Sequence, residues 1–398
     1  MIHTGRHFLQ IPGPTNVPDR VLRAMDRPVV DHRSSEFANL ATEVLEGIRA
    51  VFQTAGPVLI YPSSGTGAWE AAIVNTLSPG DRVLMFETGH FSQLWRQVVE
   101  RFGITVEYVP GTWRSGAKAA DLESRLSSDR QHAIKAVLVV HNETSTGVTS
   151  CISDIRRAMN RSRHPALLIV DTISSLASIE YRHDEWEVDV TVAGSQKGLM
   201  LPPGLGMNAL SQKALAASKV ARLPRSYWDW QDMLKPNHAG FFPYTPATNL
   251  LYGLRESLAM LSEEGLSNVF RRHDRHAEAT RAAARAWGLE IVCEDPTEYS
   301  SSLTALFTPP GHDADRLREI ILHNFDMSLG AGLSKLAGKV FRIGHLGSFN
   351  DLMLAGTLSG VEMGLRLADV SHHDGGVMAA LDNLAAAHRK AEPAMPVK

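Results

Sequence analysis

Seven short apolar runs, at residues 58–61, 83–86, 106–109, 136–140, 167–170, 188–193 and 206–210, constrain this chain more than any other feature. Most are four to six residues long and dense in Val, Ile and Leu, as strands covered on both faces must be. Roughly 20–30 residues separate many neighbouring pairs, which leaves room for a crossover helix. That alternation predicts an α/β fold built on a largely parallel sheet. Ahead of the first run, Phe37, Leu40, Ala41, Val44, Leu45, Ile48, Val51 and Phe52 keep helical spacing, so residues 36–52 read as an amphipathic helix.

The pattern changes near residue 250. Two helical stretches, 250–261 and 269–287, flank Glu263-Glu264-Gly265. Apolar runs follow at 289–292 and 303–307, then a helix from Ala314 and a strand around 340–343. A chain of 398 residues exceeds what one core usually serves. The expected division is a large domain over 19–263 and a smaller C-terminal α+β domain over 264–398. Residues 1–18, with Pro12-Gly13-Pro14 and Pro18, read as an irregular N-terminal arm. Residues 385–398 are expected to fray. A net charge of -3 gives no electrostatic basis for binding nucleic acid or a membrane surface. Cys151 and Cys293 are the two cysteines and form no CxxC pair, so neither a metal site nor a disulfide framework is expected. No apolar run reaches the ~18–20 residues that cross a bilayer, and the first residues lack the apolar stretch of a signal peptide. The expectation is a cytoplasmic protein.

Three strand ends carry chemistry. After the first run comes Ser63-Ser64-Gly65-Thr66-Gly67 and then a helix. Free backbone N–H groups, the helix N-terminus and two hydroxyls there suit a phosphate, although a plain capped turn reads equally well. Asp171 ends the run at 167–170, where open α/β sheets bind ligands. Taken alone it is more readily a helix cap; as a buried carboxylate it would keep a pyridine nitrogen protonated. Lys197 follows the run at 188–193 inside Gly194-Ser195-Gln196-Lys197-Gly198, an odd place for a solvated ammonium. An amine held there can lose its proton and add to an aldehyde. Phosphate cradle, ring-nitrogen acid and amine occur in the order one ligand requires.

These segments, with Pro12-Gly13-Pro14-Thr15-Asn16, Asp31-His32-Arg33, His141-Asn142-Glu143-Thr144 and Val340-Phe341-Arg342-Ile343-Gly344, resemble class V aminotransferases of pyridoxal-phosphate (PLP) fold type I, in the serine–glyoxylate and alanine–glyoxylate branch. The resemblance spans residues 11 to about 350 in the family's order. It implies a seven-stranded, mostly parallel sheet in the large domain and PLP as cofactor. Lys197 matches the family's Schiff-base lysine and Asp171 the partner of the ring nitrogen. Ser64, Gly65, Thr66 and Gln196 match the phosphate site, Thr144 the neighbour of the phenolic oxygen, and Phe91 the aromatic that stacks on the ring. Arg342 matches the arginine that grips the substrate carboxylate. Thr245, with Tyr244 or Phe242, matches a segment donated to the phosphate of a neighbouring subunit, which implies a homodimer. Thr172-Ile173 departs from the Gly-Val common after the acid. The implied activity is transfer of an amino group to glyoxylate, with serine the preferred donor and alanine or aspartate the alternatives. Gln196 stands where cysteine desulfurases have a histidine, which argues against that related chemistry.

Overall fold

The computed structural model describes residues 5–391. The strands in chain order are β1 (Phe8–Gln10), β2 (Val58–Ser63), β3 (Arg82–Phe86), β4 (Thr105–Val109), β5 (Ile134–Val140), β6 (Asn142–Glu143), β7 (Val148–Thr149), β8 (Leu167–Asp171), β9 (Val190–Gly194), β10 (Gly204–Leu210), β11 (Leu303–Phe307), β12 (Met327–Ala331) and β13 (Val340–Gly344). Seven of them form one sheet in the order β2-β10-β9-β8-β5-β3-β4, and each apolar run read from the sequence supplies one. Only β10 runs against its neighbours in this sheet; the pairs β9–β8, β8–β5, β5–β3 and β3–β4 are parallel. Alternate residues feed two cores, one on each face. In β8, Leu168 and Val170 join one core while Leu167 and Ile169 join the other. Six strands therefore end on one edge, where the segments holding Ser64, Phe91, Thr144, Asp171 and Lys197 emerge.

The helix Ser35–Phe52 buries all eight residues chosen for their spacing, and the Ser34 side chain accepts from Phe37 N–H at its start. Helices Thr248–Glu264 and Leu266–Trp287 meet at Gly265. A second sheet follows, in the order β1-β12-β13-β11, with its own core around Phe341, Ile343, Leu329 and Trp287.

Three expectations are corrected there. The arm is not wholly irregular: Phe8, Leu9 and Gln10 pair in parallel with Met327, Ser328 and Leu329. Residues 289–292 form no strand, and Ile291 makes a single bridge to Leu306; the strand falls instead at β12. The last helix, Gly376–Ala391, continues through residues 385–391, and 392–398 lie outside the described residues. Among the described residues no helix is long and apolar enough to cross a membrane.

Candidate active site

A cavity of about 240 Å³ opens at the carboxyl ends of the parallel strands. Ser64, Gly65, Thr66, Phe91, Thr144, Asp171, Gln196 and Lys197 all line it, so eight of the residues selected from sequence converge. A larger groove of about 480 Å³ runs along the arm past Arg20 and Met260 but contains none of these groups.

At one end, β2 passes directly into the helix Gly65–Thr76 with Ser64 at its N-cap. The Ser64 side chain does not cap the helix, which leaves its hydroxyl and the first-turn N–H groups available to an anion. Gly65 is required by close approach: a Cβ there would lie 2.2 Å from Ile173 Cδ1. Ile173, one of the two residues that depart from the resembled family, thus forms part of the cradle. The Gln196 side-chain oxygen is buried without a hydrogen-bond partner. Turning that amide presents its NH₂ to an anion instead.

Asp171 ends β8 and is buried. Its two carboxylate oxygens accept from Ile173 N–H at 2.7 Å and from the Trp69 indole N–H at 3.1 Å. The first bond is the cap-like turn that sequence suggested, and it coexists with burial in the cavity. Desolvation pushes the carboxyl up to about 7; Glu143 adds to the rise, while the two N–H bonds and the Lys197 charge oppose it.

Lys197 is only 8% exposed. Its Nζ donates to the carbonyls of Pro12 and Gly13, the latter at 3.2 Å. Thr15 fixes the arm in place, donating from its N–H to Gln196 O and from its hydroxyl to Lys197 O, both at 3.1 Å. Burial, and next the nearby Arg342 charge, lower the amine to about 7. Gly13 has φ +84° and a Cβ there would lie 2.3 Å from Lys197 Cδ.

Arg342 projects from β13 and is buried. It donates to Ala331 O at 2.8 Å and to Thr144 O at 2.6 Å. Both acceptors are backbone carbonyls, so neither neutralises the guanidinium, which burial lowers to about 10. The Thr144 hydroxyl donates to Ser174 Oγ at 2.7 Å. Phe91 lies in the first turn of the helix His90–Arg101, whose Phe91 and Ser92 N–H groups are held by the buried Glu143 carboxylate at 3.2 and 3.0 Å.

Tyr244 and Thr245 do not join this cavity. Tyr244 stacks on Tyr227 with ring centroids 4.3 Å apart, its hydroxyl buried without a partner. Thr245 is exposed and lines a separate depression with Val29 and His32. Phe242 packs edge-on against Phe37. The sequence reading missed Trp69, Pro12, Gly13 and Ser174 as site residues. Of these only the Pro12-Gly13-Pro14 motif left a signal.

The donor set fits pyridoxal phosphate. The Ser64–Thr66 turn and Gln196 suit the phosphate, Asp171 a protonated pyridine nitrogen, and Lys197 the aldehyde. Comparison with known proteins agrees. The model of the family "Aminotransferase class-V" matches residues 7–339. Serine–glyoxylate aminotransferase of Methylorubrum extorquens is 50% identical, the match covering 91% of each chain. L-Aspartate–glyoxylate aminotransferase of Paracoccus denitrificans is 46% identical, covering 90% of this chain and 91% of the relative. The crystal structure of ureidoglycine–glyoxylate aminotransferase from Bacillus subtilis superposes with a TM-score of 0.89 at 28% identity, over 96% of this chain and 99% of that one. The chain belongs to the class-V aminotransferases, and its cofactor is pyridoxal 5′-phosphate.

Proposed function

We propose that this enzyme moves the amino group of a small amino acid, serine in preference, to glyoxylate, giving glycine and hydroxypyruvate. The observation that carries this reading is a buried guanidinium, Arg342, whose bonds go only to carbonyls, one of them that of the cavity-lining Thr144, and whose charge is felt by a buried amine lowered to about 7. Amino donor and glyoxylate each bring a carboxylate, and the guanidinium can grip either one bidentately. The match to a relative named for serine supports that donor, and the one named for aspartate keeps a second donor in play. Alanine is the third candidate.

Bound here, pyridoxal phosphate supplies an electron sink for the charge that develops at the α-carbon. Lys197 Nζ, which burial lets shed its proton near pH 7, takes the α-proton and gives it back on the far side of the transfer. Asp171 would hold a proton on the ring nitrogen by offering it a buried carboxylate. Phe91 and Thr144 line the same cavity, where Phe91 would cover the ring and Thr144 would sit beside its phenolic oxygen. The working unit in this proposal is a cytoplasmic homodimer, with Thr245 and Tyr244 or Phe242 of each subunit reaching the other's phosphate site. That placement accounts for the position of Tyr244 and Thr245 outside their own chain's cavity.

Initial rates with serine, alanine and aspartate, each against glyoxylate, test the substrate reading. The highest kcat/KM is expected with serine. A higher value with either rival reassigns the donor, and no turnover with all three rejects the reaction.

A further inference from the structure

Trp69 stands four residues after Gly65, one turn along the same face of the helix Gly65–Thr76. Its indole N–H reaches Asp171 Oδ2 at 3.1 Å across 102 residues of sequence. The ring has nowhere to swing. It is 2% exposed and lies flat against the fully buried Trp95, with centroids 5.7 Å apart and planes 12° apart. Ile173 N–H holds the other carboxylate oxygen, so the acid is fixed from two sides. An indole N–H can only donate, and a donor aimed at a carboxylate favours its charged form.

Three other indoles also donate to carboxylates: Trp113 to Glu87, Trp228 to Glu70 and Trp287 to Glu362. Those acids lie outside the cavity, so the contact type alone decides nothing. What sets Trp69 apart is that its acid is in the site and its helix builds the phosphate turn.

We propose that Trp69 is a positioning residue: its N–H holds the Asp171 carboxylate oriented and charged, and its helix ties that orientation to the phosphate turn. One rigid element then sets both ends of the cofactor site. The inference rests on the assignment of Asp171 to the ring nitrogen. The competing view is that Trp69 fills volume beside Trp95, in which case phenylalanine would serve as well.

The test begins with the full-length protein freed of cofactor and labelled with ¹⁵N at tryptophan and isoleucine. The Trp69 indole resonance, assigned by its absence in Trp69→Phe, should titrate with a midpoint near 7 and be flat in Asp171→Asn. In Trp69→Phe the Ile173 amide, which reports the same carboxyl, should show its midpoint raised by about one pH unit. The loaded Trp69→Phe enzyme should lose roughly tenfold in kcat, while KM for glyoxylate stays within about twofold because Arg342 is untouched. An indole resonance that stays still in the wild-type protein, or titrates unchanged in Asp171→Asn, overturns the proposal. If Asp171→Asn keeps full activity, the ring-acid assignment itself fails. If Asp171→Asn loses activity while Trp69→Phe matches the wild type in kcat and in the Ile173 titration, Trp69 is a filler and this proposal alone falls. Should Trp69→Phe not fold, the wild-type and Asp171→Asn indole titrations still decide.

Discussion

Replacing Gly13 with alanine strikes the reactive lysine directly. A Cβ on this backbone would lie 2.3 Å from Lys197 Cδ, 2.7 Å from Nζ and 2.8 Å from Cε, where ordinary contact begins at 3.4 Å. The shortfall is about 1 Å at Cδ and somewhat less at the two atoms beyond it. An exposed lysine would swing aside at little cost. This one is buried and its Nζ is bonded to the arm carbonyls of Pro12 and Gly13, so the amine must shift by about that distance or the arm must lift. A misplacement of about 1 Å at a reacting group costs on the order of 100-fold in rate. Independently, alanine at φ +84° carries backbone strain of about 1–2 kcal/mol. Gly80 separates the two effects: its φ is +85° and no atom lies within 4 Å of its would-be Cβ. Gly80→Ala should therefore share the strain without the collision. Denaturant midpoints and single-turnover rates with serine should be measured for both variants. Similar losses of stability are expected, with a rate loss of about 100-fold confined to Gly13→Ala. A wild-type rate in Gly13→Ala would refute the claim that the arm sets the lysine's position. Equal rate losses in both would assign the effect to general strain.

Lys197→Ala should abolish transamination in a folded protein, and borohydride reduction with peptide mapping should place the pyridoxyl label on Lys197 alone; a label elsewhere refutes its role. Arg342→Lys should weaken the amino donor and glyoxylate together, by on the order of 2–3 kcal/mol each, so unchanged KM values for both would remove Arg342 from the site. The Lys197 amine is the nucleophile only when neutral, and burial has moved its titration down to about 7. Cofactor recapture by the stripped protein should therefore rise through a midpoint near pH 7 and then level off, instead of climbing toward the ~10.4 of an ordinary lysine. Asp171→Asn removes a charge that favours the ammonium, so it should move that midpoint down; an upward shift would contradict the electrostatic account. Mixed dimers of a Thr245 and a Lys197 variant should recover up to about half the wild-type activity, since one site in each would carry neither defect; no recovery in a verified mixed dimer defeats the shared site.

The large sheet was legible because β5, β8 and β9 are buried on both faces apart from Lys135, so their sequences are dense in Val, Ile, Leu and Ala. The smaller sheet was harder to read. Met327-Ser-Leu-Gly-Ala lacks β-branched residues and carries a glycine mid-strand, yet it pairs with β1 and β13. Its partner at Phe8 lies 319 residues away, a pairing no local pattern can announce. The run at 289–292 has strand composition but lies beside β11 with one bridge only. Among site residues, Lys197, Asp171 and the Ser64–Thr66 turn follow strand ends, where position itself is a signal. Trp69 gave none, because a tryptophan inside an apolar helix reads as core until its N–H is seen to meet Asp171. Gly13 looked like part of a loose arm because its function is the space it leaves for a side chain 184 residues further on.

The two cations of the site come from different sheets, and that separation has a chemical consequence. Lys197 follows β9 of the large sheet, while Arg342 belongs to β13 of the small one and reaches across to Thr144 O. Without substrate, the Arg342 charge helps keep the lysine amine neutral, second only to burial. A carboxylate arriving at Arg342 cancels much of that charge, and the neutral amine then holds a proton more readily. In the proposed reaction, the same event that places the amino acid therefore strengthens the base assigned to take its α-proton. A ligand without a carboxylate would occupy the cavity and leave Lys197 as weak a base as before.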